Sequence, residues 1–390
     1  MNDIVDLFKF FKSCIEETGK NLNGRNRQIT FKDIIYFCIY KNGNSYSYSQ
    51  ANIKMQIKHI LNVSDKAIIK KRNSIDHSNF KNIHDELLNY AYRNNNEPRL
   101  LGVDGTYLPV SIHLKTYGYR ATPNKTFCSI LNSCVYDINN KLVINDHLCK
   151  NYGEQTAVLK QIDCFKENDI VIFDRNYFSH HLVNEFNKIG AYVIIRLRIN
   201  LLIVDEIDKK GQHDMITKIY HRNQTPIKFR VLKYQIGDDD YYLGTTIFTH
   251  KLPYFIDLYH KRWRIETHFK ESKYVLSLAN LTSTKENELL QDVYIHSIIS
   301  NIKSLLNVCL EEYLDDHKKI SSKTLIDVFI NNILHLILYK SFTIGLKNEL
   351  SEIFNILVNT SVSIDKENRH YDRLRVKPLG KWYYCKNYKV

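Results

Sequence analysis

Eight cysteines, at positions 14, 38, 128, 134, 149, 164, 309 and 385, supply no CxxC pair and no Cys/His cluster at zinc spacing. Neither a structural zinc site nor a disulfide framework is expected, and free thiols imply a reducing compartment. No stretch approaches an 18-residue apolar run, and Asp3, Asp6 and Lys9 interrupt the apolar residues of the first segment. A membrane partner and a signal peptide are therefore not expected. The resulting expectation is an intracellular protein, cytoplasmic in a bacterium or nuclear in a eukaryote. Internal repeats are also missing.

The chain has 390 residues, 44% hydrophobic and 25% charged, enough for two or three domains around a substantial core. Lys plus Arg is 55 against 42 for Asp plus Glu, a formal charge of +13 that favours a polyanionic partner. An A/T-rich gene would enrich Lys, Asn, Ile and Tyr together and give the same excess. The electrostatic field it creates would remain.

Residues 1–97 read as a helical region. Two short helical runs around Asn62-Val63-Ser64-Asp65, with Lys70, Lys71 and Arg72 near the end, fit a DNA-binding helix-turn-helix or an ordinary helical hairpin. From Leu100 the pattern becomes strand-like: three consecutive antiparallel strands, a helix from Glu154 to Ile162, a buried strand over 169–174, a helix and another strand over 191–198. Alternating segments over 199–250 suggest a small β insertion. Helical patterns resume beyond it, and residues 311–390 read as a helical region ending in a basic tail. From Lys366 that tail holds eight Lys/Arg against two acids, interleaved with Tyr371, Trp382, Tyr383, Tyr384 and Tyr388. The order over 98–310 is that of a ribonuclease-H-like α/β domain with a mixed sheet, a β insertion before a final helix, and helical flanks.

That final helix, 253–277, carries the chemistry. At about 100° per residue, Tyr259, Arg262, Glu266 and Lys273 fall within one arc of roughly 60°, with Phe255 and Phe269 in the same row. A carboxylate among basic groups and aromatics suits a site that holds a metal and a phosphodiester together. A solvated helix face gives the same residues. Asp104, in Val103-Asp104-Gly105-Thr106, falls on the first strand, where Gly105 would let backbone approach a ligand; Asp-Gly is also a hairpin turn pair. Asp174 ends a strand, where α/β sheets bind ligands, and is equally an N-cap. Arg175 beside it suits a phosphate or an acidic partner. Three clustered carboxylates repel one another unless cations occupy the cluster, and two Mg²⁺ or Mn²⁺ ions about 3.5–4 Å apart would serve.

Tyr259-x2-Arg262-x3-Glu266-x6-Lys273, with Arg262-Trp263-x-Ile265-Glu266, the Asp104 motif and Asp174-Arg175-Asn176-Tyr177 in order, resembles the DDE transposases of the insertion-sequence-four-like group. Asn176 stands where the family often has Gly. The resemblance implies cut-and-paste DNA transposition through a hairpin intermediate, with Asp104, Asp174 and Glu266 as catalytic metal ligands. It implies that Tyr259, Arg262 and Lys273 hold DNA backbone, that transposon ends and target DNA are the partners, and that the protein acts as a homodimer. Tyr241 and Tyr242 are candidates to stack on a flipped base. A transposase-derived DNA-binding protein and a nuclease of the same fold are the alternatives.

Overall fold

The computed structural model describes residues 2–20, 22, 28–95, 97–121, 126–221 and 225–363. The basic tail from Lys366 lies outside the described residues. Helices come first: α1 (Asn2–Lys20), α2 (Phe31–Gly43), α3 (Tyr48–Ile57), α4 (Asp65–Asn73) and α5 (Ser78–Tyr92). Local chemistry marks their starts. The Thr30 N–H donates to Asp33 Oδ2 at 2.8 Å and the Asp33 N–H to Thr30 Oγ1 at 3.3 Å, a reciprocal box that satisfies donors at the head of α2.

The α/β stretch follows as β1 (Leu100–Ser111), β2 (Phe127–Asp137), β3 (Leu142–Cys149), α6 (Glu154–Leu159), β4 (Ile170–Phe173), α7 (His180–Lys188) and β5 (Tyr192–Arg196). Next come α8 (Leu202–Lys209), β6 (Asp214–Ile219), β7 (Ile227–Ile236) and β8 (Asp239–Thr245). Then α9 (Leu252–Lys261), α10 (Trp263–Tyr274), α11 (Glu286–Glu311), α12 (Ser322–Val328), α13 (Leu334–Tyr339) and α14 (Ile344–Asn359) close the described chain.

The first eight strands form one mixed sheet in the order β3-β2-β1-β4-β5-β8-β7-β6. β1 with β4 and β4 with β5 are parallel; β2 with β3, β5 with β8, β8 with β7 and β7 with β6 are antiparallel. Parallel neighbours need a crossover, which α7 supplies between β4 and β5. The segment expected as a separate small β insertion behaves differently. It opens on a helix, α8, and its three strands extend the main sheet, because β8 pairs with β5 through Ile194↔Thr245 to Arg196↔Leu243.

The residues divide into two compact units, Met1–Asn95 with Pro109–Ser129 and Lys270–Val390, and Asn96–Leu108 with Ile130–Phe269. In the first, Phe8, Phe31, Ile35, Phe80, Ile298 and Phe329 belong to one buried cluster shared by helices from both ends of the chain. α11 has the length and apolarity to cross a membrane, and 72% of its apolar window is buried inside the fold. It is a core helix carrying buried polar groups. Arg72, placed above near the end of a helix-turn-helix or helical hairpin, is wholly buried, and Lys71 beside it is buried too. Its guanidinium donates to Asp292 Oδ1 at 2.6 Å, Gln291 Oε1 at 2.8 Å and the Glu288 carbonyl at 2.8 Å. A buried arginine is kept where its donors are matched, so α4 turns this residue inward and only Lys70 of the three is exposed.

In the second unit, one face of the sheet presents Leu100, Ile172, Ile194, Leu232 and Leu243 to Phe255, Leu258, Ile265 and Phe269 of α9 and α10. α10 comes close at Gly102, where an added Cβ would lie 3.2 Å from Ile138 Cδ1 and 3.7 Å from Ile265 Cβ.

Candidate active site

The register between β1 and β4 builds the site. Leu100 lies opposite Ile170 and Gly102 opposite Ile172, so the same offset carried forward brings Asp104 level with Asp174 on one face. That face is the one covered by α9 and α10, since Leu100 and Ile172 belong to the cluster beneath them. Asp104 is therefore a strand residue and makes no hairpin turn. Asp174 follows the last residue of β4 and heads a short 3₁₀ turn, Arg175–Tyr177, without a side-chain capping bond.

The expected single helix over 253–277 is two, α9 and α10, joined at Arg262. There the chain tightens: the Arg262 N–H donates to the Tyr259 carbonyl at 3.1 Å and the Ile265 N–H to the Arg262 carbonyl at 3.0 Å. Tyr259 and Arg262 are each only 8% exposed, which rules out a solvated face. The Tyr259 phenol donates to Asp174 Oδ1 at 3.4 Å. Arg262 Nη2 donates to Glu266 Oε1 at 2.8 Å, and Nη1 reaches Asp104 Oδ2 at 3.5 Å. Asp104, Asp174, Tyr259, Arg262 and Glu266 are thus gathered in one place.

Two other sequence candidates stand outside these contacts. Lys273, further along α10, falls in the first unit; it is half-buried, and burial lowers its pKa. Arg175 is exposed and lines a cavity of about 770 Å³ with Asn176, Arg196, Arg198, Tyr241 and Tyr242. Tyr242 donates to Asp208 at 2.8 Å and is buried, a strand-packing role, whereas Tyr241 is half-buried beneath Arg196, 4.8 Å from its ring centre.

Charge at the cluster is unbalanced. Burial pushes the Asp104 carboxyl up; the Gly105 N–H, 2.8 Å away, and Arg262 oppose this, while Asp174 and Glu266 add to it. Burial works against the Arg262 charge, yet Tyr259, Asp104, Asp174 and Glu266 raise its pKa. A fourth carboxylate, absent from the sequence reading, belongs here. Glu154, the first residue of α6, has its carboxyl raised by burial and then by Asp104 and Asp174. The room beside Gly105 is filled by Glu154 and Leu131, whose Oε1 and Cδ1 would lie 2.9 and 2.8 Å from an added Cβ. The signal that points to Glu154 in a sequence is an acid opening the helix that follows the third strand.

Among the described residues no three carboxylate or imidazole groups converge tightly enough to hold a metal as they stand. Arg262 supplies the positive charge between Asp104 and Glu266, and its own Nε, buried, finds no hydrogen-bond partner. The donor set is all carboxylate oxygen, the hard ligand type of Mg²⁺ and Mn²⁺, and a partly satisfied guanidinium holds two of its members. By ligand type the residues suit such an ion, and Arg262 would have to give up those contacts to admit it.

Glu271, also on α10, serves as an internal control. Lys303 Nζ donates to its Oε2 at 2.7 Å, and both belong to the first unit. Glu271→Gln is expected to lower stability by about 1–3 kcal/mol and leave DNA cleavage within roughly threefold of wild type. A denaturant melt and a cleavage assay on one preparation check both.

The transposase DDE domain family matches residues 95–302. Among solved structures, a piggyBac transposase synaptic complex with hairpin DNA is similar, with a TM-score of 0.50 at 13% identity, covering 90% of this chain and 85% of that one. At that identity the likeness speaks for the fold. A search of curated proteins gives no match. The matched span contains Asp104, Asp174 and Glu266, and the chain belongs to the transposase DDE domain family, enzymes of metal-dependent DNA cleavage and strand transfer.

Proposed function

We propose that this transposase belongs to the insertion-sequence-four-like group, that its α/β unit is a ribonuclease-H-like domain, and that it excises its element by cut-and-paste through a DNA hairpin. The observation that carries the reading is the gathering of Asp104 and Asp174, level on adjacent parallel strands, beneath Tyr259, Arg262 and Glu266. Asp104, Asp174 and Glu266 would hold Mg²⁺ or Mn²⁺, which supplies activation of the attacking oxygen and neutralises charge on the phosphate.

The chain's own residues do the rest. Arg262 leaves the carboxylates and presents its guanidinium to a phosphodiester, the planar fork matching two phosphate oxygens. Tyr259 donates to a neighbouring phosphate oxygen, and Lys273 and Arg175 are further cations for DNA backbone. Water attacks at the transposon end and leaves a 3′-hydroxyl. That hydroxyl then attacks a phosphodiester of the opposite strand, whose displaced oxygen departs as the hairpin closes. A homodimer brings two transposon ends together.

The cavity next to Arg175 is the place for a base turned out of the stack. Its three arginines suit the backbone, and Tyr241 offers a ring face. Tyr241→Ala is expected to slow hairpin formation roughly 5- to 150-fold, the equivalent of about 1–3 kcal/mol of stacking, and to leave the first nick near wild type. Denaturing gels separate nicked from hairpin DNA.

The decisive assay incubates the protein with Mg²⁺ and DNA flanking its gene. Nicking, hairpin formation and joining to a target plasmid are expected in that order. Cutting without joining would instead mark a nuclease, and salt-sensitive binding without cutting a DNA-binding derivative.

A further inference from the structure

We propose that Glu154 is a fourth carboxylate of the active site, a ligand for a divalent cation held by Asp104 and Asp174, with its orientation set by the Tyr177 hydroxyl. This rests on the assignment of Asp104 and Asp174 as metal ligands.

The geometry comes from three sides. Glu154 lies against Gly105, the residue after Asp104, its Oε1 2.9 Å from where a Cβ would stand, so only glycine there leaves the carboxylate its place. Its neighbour Gln155 donates through Nε2 to the Asn176 carbonyl at 2.8 Å, tying the head of α6 to the turn that follows Asp174. The Glu154 carboxylate thereby lies against the Asp104-Gly105 stretch of β1, on a helix tied to the turn that follows Asp174.

The second observation is independent of the acids. Tyr177, the last residue of that turn, is 1% exposed, and its hydroxyl is buried without a hydrogen-bond partner. A tyrosine hydroxyl is a hydrogen-bond donor, and the turn that carries Tyr177 is tied to Asp174, whose carbonyl accepts from the Tyr177 N–H at 3.1 Å, and to the head of α6 through Gln155. An orphaned buried hydroxyl costs free energy unless an acceptor completes it. A carboxylate fixed by binding a cation provides that acceptor, in the way outer hydrogen bonds orient metal ligands. The position of Glu154 at the head of α6 would favour an acid there through the helix dipole, but that does not account for the burial of Tyr177 beside it.

The test uses the full chain, stripped of metal and titrated with Mn²⁺, reading free Mn²⁺ by electron paramagnetic resonance. Wild type is expected to bind, Asp174→Asn to lose binding, and Glu154→Gln to bind about tenfold or more weakly. Tyr177→Phe is expected to bind several-fold more weakly while its metal-free melting temperature stays at or above wild type, since the lost hydroxyl had no partner. If Asp174→Asn loses Mn²⁺ while Glu154→Gln binds like wild type, Glu154 is no ligand and the assignment of the aspartates stands. If wild type and Asp174→Asn behave alike, the assignment of the aspartates falls, and this inference with it. Should Glu154→Gln fail to fold, Tyr177→Phe decides alone, and unchanged affinity overturns the proposal.

Discussion

Glu266→Gln is expected to reduce DNA nicking by about a thousandfold or more while end binding stays within a few-fold of wild type. The substitution is isosteric, so α10 keeps its packing through Ile265 and Phe269, both buried against the sheet. What it removes is one negative charge from the set that would hold the metal, leaving Arg262 Nη2, now 2.8 Å from Oε1, a neutral amide acceptor in place of a charged one. Losing an outer hydrogen bond to a metal ligand costs about 10- to 100-fold and losing one preorganised transition-state donor about 10²- to 10³-fold, so a charged ligand belongs at the upper end or beyond. Binding should survive because phosphate contacts come from cations, and removing an acid lowers repulsion. Single-turnover nicking beside a gel-shift titration reads both numbers. Cleavage within tenfold of wild type would remove Glu266 from the site.

Arg72→Ala is expected to destabilise the first unit by about 3–5 kcal/mol, a large share of the roughly 5–15 kcal/mol that holds a typical domain together. Arg72 and Asp292 are both fully buried, and the carboxylate also accepts from Asn42 at 2.7 Å and Ser283 at 2.5 Å. Truncation leaves the buried carboxylate with Lys41, 3.8 Å away, as a weaker counter-charge and removes its closest charged donor. Replacing both partners with apolar residues, with Lys41 made neutral as well, as in Arg72→Met, Asp292→Leu and Lys41→Met, should recover much of the loss, since Lys41 also faces Asp292 at 3.8 Å. Burial alone would raise the Asp292 carboxyl, but Arg72 and Lys41, with hydrogen bonds from Ser283 and Asn42, hold it far below the usual carboxylate range. A depressed carboxyl contributes stability that is present above its unfolded pKa of about 4 and is lost as pH falls below that. Wild type should therefore lose stability steeply below about pH 4 and the triple variant less so. Parallel curves would show that the pair is not the acid-sensitive element.

The two aspartates and Glu266 were legible because each sits in a pattern with a short period. Asp104 and Asp174 follow apolar strand residues, and Tyr259, Arg262 and Glu266 recur at helical spacing. Arg72 was not legible. Its partner lies far along the chain, and a basic residue at the end of a short helix reads the same whether it meets DNA or a buried aspartate. Glu154 was hidden for a similar reason, since its place depends on the space left by Gly105, and spacing along one helix does not report that. The strands β6, β7 and β8 were visible as strands, but their joining the main sheet depends on the pairing of β5 with β8, which no local pattern encodes. The tightened turn at Arg262 has no Gly or Pro to announce it.

The first unit is built from both ends of the described chain, and this bears on how it is made. Phe8, Phe31 and Phe80 emerge from the ribosome well before Ile298 and Phe329, with which they share a core. At a typical rate of about 5–20 residues per second, the stretch between Asn96 and Phe269 takes on the order of 10–30 s to synthesise. Through that interval the apolar faces of α1, α2 and α5 lack the helices that cover them, and the chain of the sheet unit is finished before those helices emerge. Low yield on overexpression would then trace to the waiting N-terminal helices, and slowing initiation or supplying a holdase should raise yield more than any change within the sheet.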